Sequence, residues 1–132
     1  MEYWWNISIK TATKVPHNKP DLIIWNHEKM ICTIIDFSCP LDSNISKKVS
    51  EKKNNYGPLV RNMQIKYPNN KFEMIPIIVG CLGYVQKDLK IYMKQLGFDN
   101  KEIPFLIRRL QIASICGTVN VCKAFFSFND VK

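Results

Sequence analysis

Hydrophobic positions along this chain fall into runs of different period, and each period predicts an element. From Tyr3 to Thr13 apolar and polar residues alternate loosely, Trp5, Ile7 and Ile9 against Asn6, Ser8 and Lys10, as in a half-buried strand. Val15-Pro16-His17-Asn18-Lys19-Pro20 breaks that alternation, because prolines and asparagine do not sustain a ladder. Two β-branched runs follow, Leu22 to Trp25 and Met30 to Ile35, on either side of the polar Asn26-His27-Glu28-Lys29. Together they predict a β-hairpin that stops at Cys39-Pro40.

Beyond the hairpin the period lengthens. Asp42-Ser43-Asn44 offers helix N-cap residues, and Ile45, Val49, Tyr56, Val60, Met63 and Tyr67 recur at mostly helical steps. Gly57-Pro58 lies inside that pattern and predicts a kink or two consecutive helices. Phe72 to Val79 is a near-continuous apolar run, the signature of a strand covered on both faces, with Pro76 as its one objection. Val85 to Leu96 predicts an amphipathic helix closed by Gly97. Pro104 to about Phe126 predicts a long helix with Leu106, Leu110, Ala113, Gly117 and Val121 on its buried stripe and Arg108 and Arg109 elsewhere. The order strand, hairpin, helix, strand, helix, helix describes an α/β sandwich around a mixed sheet.

Composition narrows the partner. The chain has 132 residues, 46% of them hydrophobic, enough for one domain with a real core. Its formal net charge of +8 favours an anionic partner such as nucleic acid or an acidic membrane face. No apolar run approaches a membrane span, and the N-terminus lacks a signal-peptide layout, so no membrane is expected. Cys32, Cys39, Cys81, Cys116 and Cys122 form no CxxC pair and do not match zinc-ligand spacing with His17 or His27. They read as free thiols of a reducing compartment, Cys32 and Cys81 as small core residues.

The candidate chemistry sits at the hairpin's open end. Asp21 begins the first strand and Asp36 ends the second, so an antiparallel pairing makes the two carboxylates neighbours. Mg²⁺ binds through such a pair, with water and phosphate oxygens completing its shell. A surface hairpin with acids at its ends is the bland alternative. Downstream, Lys47-Lys48-Val49-Ser50-Glu51-Lys52-Lys53-Asn54-Asn55-Tyr56 places Lys52 or Lys53 one turn from a phenol. Carboxylates on a metal, a lysine beside an attacking water and a nearby phenol are the parts needed to hydrolyse a phosphodiester.

These residues carry a resemblance. Lys19-Pro20-Asp21, Asp36 within Ile34-Ile35-Asp36-Phe37-Ser38-Cys39-Pro40, Glu51-Lys52 and Tyr56 resemble the restriction-like endonuclease domain of non-LTR retrotransposons, a branch of the PD-(D/E)xK nuclease superfamily. Trp5-Asn6-Ile7-Ser8-Ile9, Val79-Gly80-Cys81-Leu82-Gly83, Leu96-Gly97 and Gly117-Thr118 match further segments in the same order, over nearly the whole chain. The resemblance implies a three-layer sandwich, a central mixed β-sheet flanked by helices, in a single domain. It implies Mg²⁺ or Mn²⁺ on Asp21 and Asp36, with the Phe37 carbonyl as an extra ligand. Ser38 occupies the superfamily's usual lysine position, so the lysine comes from the following helix, as Lys52 or Lys53 with Tyr56. Asn6 stands where many relatives carry Asp. With no reverse transcriptase or zinc knuckle ahead of it, the chain is expected to be an excised domain or a fragment of such an element.

The implied partner is DNA, its backbone tracked by Lys19, Lys47, Lys48, Lys87, Lys90 and Lys94 with Arg108 and Arg109, and beyond it the element's RNA. The implied location is the nucleus, after cytoplasmic synthesis. The leading reading is therefore a metal-dependent endonuclease that nicks target DNA to prime reverse transcription. A catalytically silent DNA-binding module and a basic protein-interaction domain are the alternatives.

Overall fold

The computed structural model describes residues 1–130. Its fold is α/β, a four-stranded mixed sheet flanked by helices. The strands are β1 (Glu2–Trp5), β2 (Leu22–Asn26), β3 (Ile31–Ser38) and β4 (Lys71–Ile78), paired in that order. The helices are α1 (Ile45–Lys66), α2 (Leu89–Gln95) and α3 (Ile103–Asp130), with a 3₁₀ turn at Asp42–Asn44 before α1. The chain divides into two compact units, one of Met1–Phe37 with Val49–Ile77, the other of Ser38–Lys48 with the chain from Ile78 onward.

In the first unit β1, β2 and β3 are antiparallel, with Leu22 opposite Ile35 and Trp25 opposite Cys32. β4 runs parallel to β3: Lys71 N–H donates to Met30 O at one end and Val79 N–H to Ser38 O at the other. Even-numbered β3 residues and odd-numbered β2 residues share one face, so Ile23, Trp25, Cys32 and Ile34 form a single apolar surface. Tyr56, Leu59 and Met63 of α1 cover it, with Ile9, Val15 and Phe72 completing the core. Trp25 sits among Trp4, Tyr67 and Phe72 at centroid distances of 5.4, 5.3 and 5.7 Å. Leu59 and Cys32 are wholly buried, and burial pushes the Cys32 thiol up to about 12.

Three expectations shift in this unit. The first strand ends at Trp5, not Thr13, because Asn6 takes a left-handed backbone (φ 53°) that an asparagine tolerates. The chain still runs beside the hairpin, with Asn6 N–H on Asp21 O (2.9 Å) and Ile9 N–H on Asn18 O (2.8 Å). α1 continues through Pro58 as one helix. The buried row on either side of Pro58 holds it, although a proline inside a helix costs about 3 kcal/mol in isolation. Pro76 is accommodated because β4 lies at the edge of the sheet order.

In the second unit the segment Gly80–Gly83 is held from several directions. Ser114 Oγ donates to Gly80 O (2.7 Å), Thr118 Oγ1 to Cys81 O (2.6 Å) and Gln111 Nε2 to Gly83 O (2.9 Å). The inward stripe of α3 is thus a polar row, Gln111, Ser114 and Thr118, and the expected stripe is corrected: Leu106 and Leu110 are half-buried, whereas Ala113, Gly117 and Val121 are exposed. Asp42 does not cap α1; its Oδ1 accepts from Leu82 N–H (3.2 Å). The helix expected from Val85 begins only at Leu89, because Val85 bridges to Val79 and the Gln86 side chain accepts from Ile78 N–H (2.6 Å). Gly97 (φ 99°) ends it as expected, with Phe98 N–H reaching back to Met93 O. Cys81 is only half-buried. One helix segment, Ile103–Ser127, is long and apolar enough by length and composition to cross a membrane, which corrects the expectation that no run approaches that length.

Candidate active site

The antiparallel register places Asp21 across from Asp36, one step beyond the Leu22–Ile35 pair. Asp21 N–H donates to Asp36 Oδ1 (3.3 Å), and Phe37 N–H donates to Asp21 Oδ2 (2.8 Å). Each carboxylate is therefore gripped by the backbone of the other's strand. This is the juxtaposition the hairpin pattern predicts, and it comes from register alone.

α1 supplies the rest. Lys52 Nζ lies 2.5 Å from Asp36 Oδ2, with its side chain about one-fifth exposed at 22% and that of Asp36 at 5%. Tyr56 OH donates to Asp36 Oδ1 (3.2 Å) and lies 3.4 Å from the Lys19 carbonyl. Lys52, Tyr56, Leu59 and Met63 follow one another at four-, three- and four-residue steps, so the row that packs on the sheet also carries the lysine to the acid. Of the two candidate lysines, the structure brings Lys52 to Asp36, while Lys53 and Glu51 are exposed.

The electrostatics follow from this crowding. Asp21 is held above the usual carboxylate range, first by burial and then by the neighbouring Asp36 charge, against the lowering effects of the Phe37 N–H and Lys52. The Tyr56 phenol is likewise pushed up, by burial and by both acids. Two adjacent, partly desolvated carboxylates form a donor set suited to a small hard divalent cation. Among the described residues no cluster of three His, Cys, Asp or Glu groups that could hold a metal is found.

Sequence reasoning missed His17. Its ring stands 5.9 Å from that of Tyr56, and it is exposed. The signal was faint, a lone histidine in a proline-flanked loop. It also assigned Phe37 only a carbonyl role, whereas the Phe37 N–H fixes Asp21. Of the expected DNA-contacting lysines, Lys19 belongs to the first unit and is exposed. Lys47, Lys48, Lys87, Lys90 and Lys94 belong to the second, all exposed except the half-buried Lys48.

No known protein family matches the chain, and no curated protein matches it. Among solved structures, the chain is similar to an N-terminal domain of a reptarenavirus L protein, at 19% identity and a TM-score of 0.41. That match covers 67% of this chain and 48% of the viral one.

Proposed function

We propose that this chain is a metal-dependent nuclease domain that hydrolyses phosphodiester bonds in DNA, of the restriction-like type found in non-LTR retrotransposons. One observation carries the reading: Asp21 just ahead of β2, and Lys52 and Tyr56 of α1, converge on the Asp36 carboxylate of β3. Asp21 and Asp36, with the Phe37 carbonyl, would hold Mg²⁺ or Mn²⁺. Such an ion, when bound, polarises the scissile phosphate and lowers the pKa of an attacking water.

The protein's own groups do the positioning. Lys52 is a cation held at the edge of the acid pair, where it orients the water and offsets charge that builds on the phosphoryl oxygens. Tyr56 keeps its proton at neutral pH, since burial and both acids raise its phenol, so it donates to Asp36 and fixes that carboxylate's orientation. It is a positioning residue. The two backbone N–H donors hold the carboxylates in register with each other.

In this reading the nick leaves a 3′-hydroxyl that primes reverse transcription of element RNA in the nucleus, after cytoplasmic synthesis of the protein. Lys19, Lys47, Lys48, Lys87, Lys90 and Lys94, with Arg108 and Arg109, follow the DNA backbone. The test is a labelled duplex incubated with Mg²⁺, Mn²⁺ or EDTA, followed by polymerase extension of the products. Metal-dependent nicks that a polymerase extends directly support the reading. Products with blocked 3′ ends, or cutting that persists in EDTA, sink it.

A second reading, a DNA-binding module without cleavage, is favoured by Asn6. Its N–H donates to Asp21 O, so an amide-bearing residue stands beside the acid pair where many members of the resembled family carry a carboxylate. Asn6→Asp separates the two readings: nicking that appears only in that variant assigns the natural chain to the silent module.

A further inference from the structure

The connection between β1 and β2, residues 6–20, contains Lys10, Lys14 and Lys19 with His17 and not one Asp or Glu. An irregular stretch of this length inside a compact unit is uncommon unless it is functional or disordered. This one is anchored. Ile9 and Val15 are both buried in the core, at 7% exposure each. Ile9 N–H pairs with Asn18 O, and Thr13 Oγ1 donates to Asn62 Oδ1 of α1 (3.1 Å). Thr11 Oγ1 closes a tight bond onto Thr13 O. The anchoring leaves both Lys10 and Lys14 exposed, at an open cavity of about 550 Å³ that Ser8, Thr11 and Asn18 also line above an apolar wall of Ile9, Val15 and Pro16.

That lining offers cations, hydroxyls and an amide without a competing carboxylate, the donors that phosphate oxygens take. The loop that bears the cavity runs on through Lys19 and Pro20 to Asp21. Asn18 on the cavity wall precedes Lys19, whose carbonyl lies 3.4 Å from Tyr56 OH, and the His17 ring lies 5.9 Å from that of Tyr56. We propose that this loop cavity is a phosphate subsite, with Lys10 and Lys14 holding the backbone of the same nucleic-acid strand whose scissile phosphate lies at Asp21 and Asp36. The inference rests on the nucleic-acid reading of the site and adds where the strand lies. Because a free phosphate offers the same oxygens, the test includes it as a separate arm.

The experiment measures binding of a short labelled DNA duplex by anisotropy in EDTA, across roughly 50 to 200 mM salt. It compares wild type, the double variant Lys10→Ala with Lys14→Ala, and a charge-matched control, Lys29→Ala with Lys101→Ala. The expected result for Lys10→Ala with Lys14→Ala is a roughly tenfold higher Kd at about 100 mM salt. The log–log salt slope should flatten by about two, near 0.9 per lost phosphate contact. The control stays near wild type, and Lys10→Arg with Lys14→Arg restores binding, because charge and donors are kept. An unchanged Kd, or equal losses in both alanine pairs, overturns the proposal. Displacement of the duplex by inorganic phosphate at constant ionic strength also overturns it, since the cavity then serves a free anion. Circular dichroism melts verify folding of each variant. Nicking by the wild type is scored separately: a wild type that cuts, beside a Lys10/Lys14 variant that binds normally, removes the subsite and leaves the nuclease reading intact. A wild type that binds without cutting removes the nuclease reading and leaves the subsite testable.

Discussion

Asp21 shows how much one residue's surroundings decide. Its carboxyl is raised chiefly by burial and by Asp36, so the folded state holds this proton to higher pH than the unfolded chain does. Between the usual Asp value near 3.8 and the raised folded value, the native state binds more protons, and stability therefore falls as pH rises. Above both values the ionised acid is a standing destabilisation. Asp21→Asn keeps an oxygen for the Phe37 N–H, so its Tm without metal should exceed that of wild type at pH 7, with the gain vanishing below about pH 4. Thermal melts across pH check this; a lower Tm at neutral pH contradicts it. Added Mg²⁺ or Mn²⁺ should raise the wild-type Tm and leave Asp21→Asn nearly unmoved, because only the charged pair gains from the ion.

The choice between Lys52 and Lys53 also belongs to this scale. Both lie one turn from Tyr56, so spacing alone left the pair open. The decision depends on how α1 is rotated against the sheet. The sequence pattern ran through Ile45, Val49, Tyr56, Val60, Met63 and Tyr67, of which Ile45, Tyr56 and Met63 are buried, but left out Leu59, which is wholly buried. The row through Tyr56, Leu59 and Met63 carries Lys52 onto Asp36. Lys52→Ala should lower the nicking rate by about 10²–10⁴ and Lys53→Ala by only a few-fold, read from initial rates on supercoiled plasmid. Similar losses in both variants would return the question to where spacing left it.

At the scale of elements, the hairpin was the most legible part of the chain. Two β-branched runs, a polar turn and an acid at each outer end fixed its register, and register brought the acids together without further help. The elements around Gly80 were less legible. Apolar periodicity drew the buried face of α3 through Ala113, Gly117 and Val121, because hydropathy does not reveal a helix face used for hydrogen bonding. Gln111, Ser114 and Thr118 instead secure the Gly80–Gly83 carbonyls. A Cβ on Gly80 would overlap the Asp42 carboxylate, which also holds Leu82 N–H. Gly80→Ala should therefore cost about 1–3 kcal/mol, seen as a lower denaturation midpoint in urea. A neutral effect would mean that Asp42 moves aside without loss. Helix α2 was overextended at its start for a similar reason, since the Gln86 side chain satisfies a strand N–H that no period announces.

For the whole molecule, the order of periodic segments predicted an α/β fold, and an α/β fold is what the chain adopts. Charge was a blunter guide to where the proposed nucleic-acid partner would lie. It pointed first to the lysine-rich helices, while residues 6–20 read as a strand continuing to Thr13 and then a proline-bearing loop, so the anchored, acid-free connection was not foreseen. α3 was misjudged in the other direction. It exposes Phe105, Ile112, Val121, Phe125 and Phe126, a distribution that a globular-core expectation does not foresee.

We propose that Asp21, Asp36 and Lys52 together form a metal-dependent phosphodiester site. Its most direct test is relaxation of supercoiled plasmid at low salt by wild type, Asp36→Asn and Lys52→Ala, with Mg²⁺, Mn²⁺ or EDTA. The account predicts nicking by the wild type only with a divalent ion. Both variants should be slowed by about 10² or more while still binding the plasmid. Wild-type protein that binds the plasmid and leaves it supercoiled in both metals, or Asp36→Asn that nicks as fast as wild type, contradicts it.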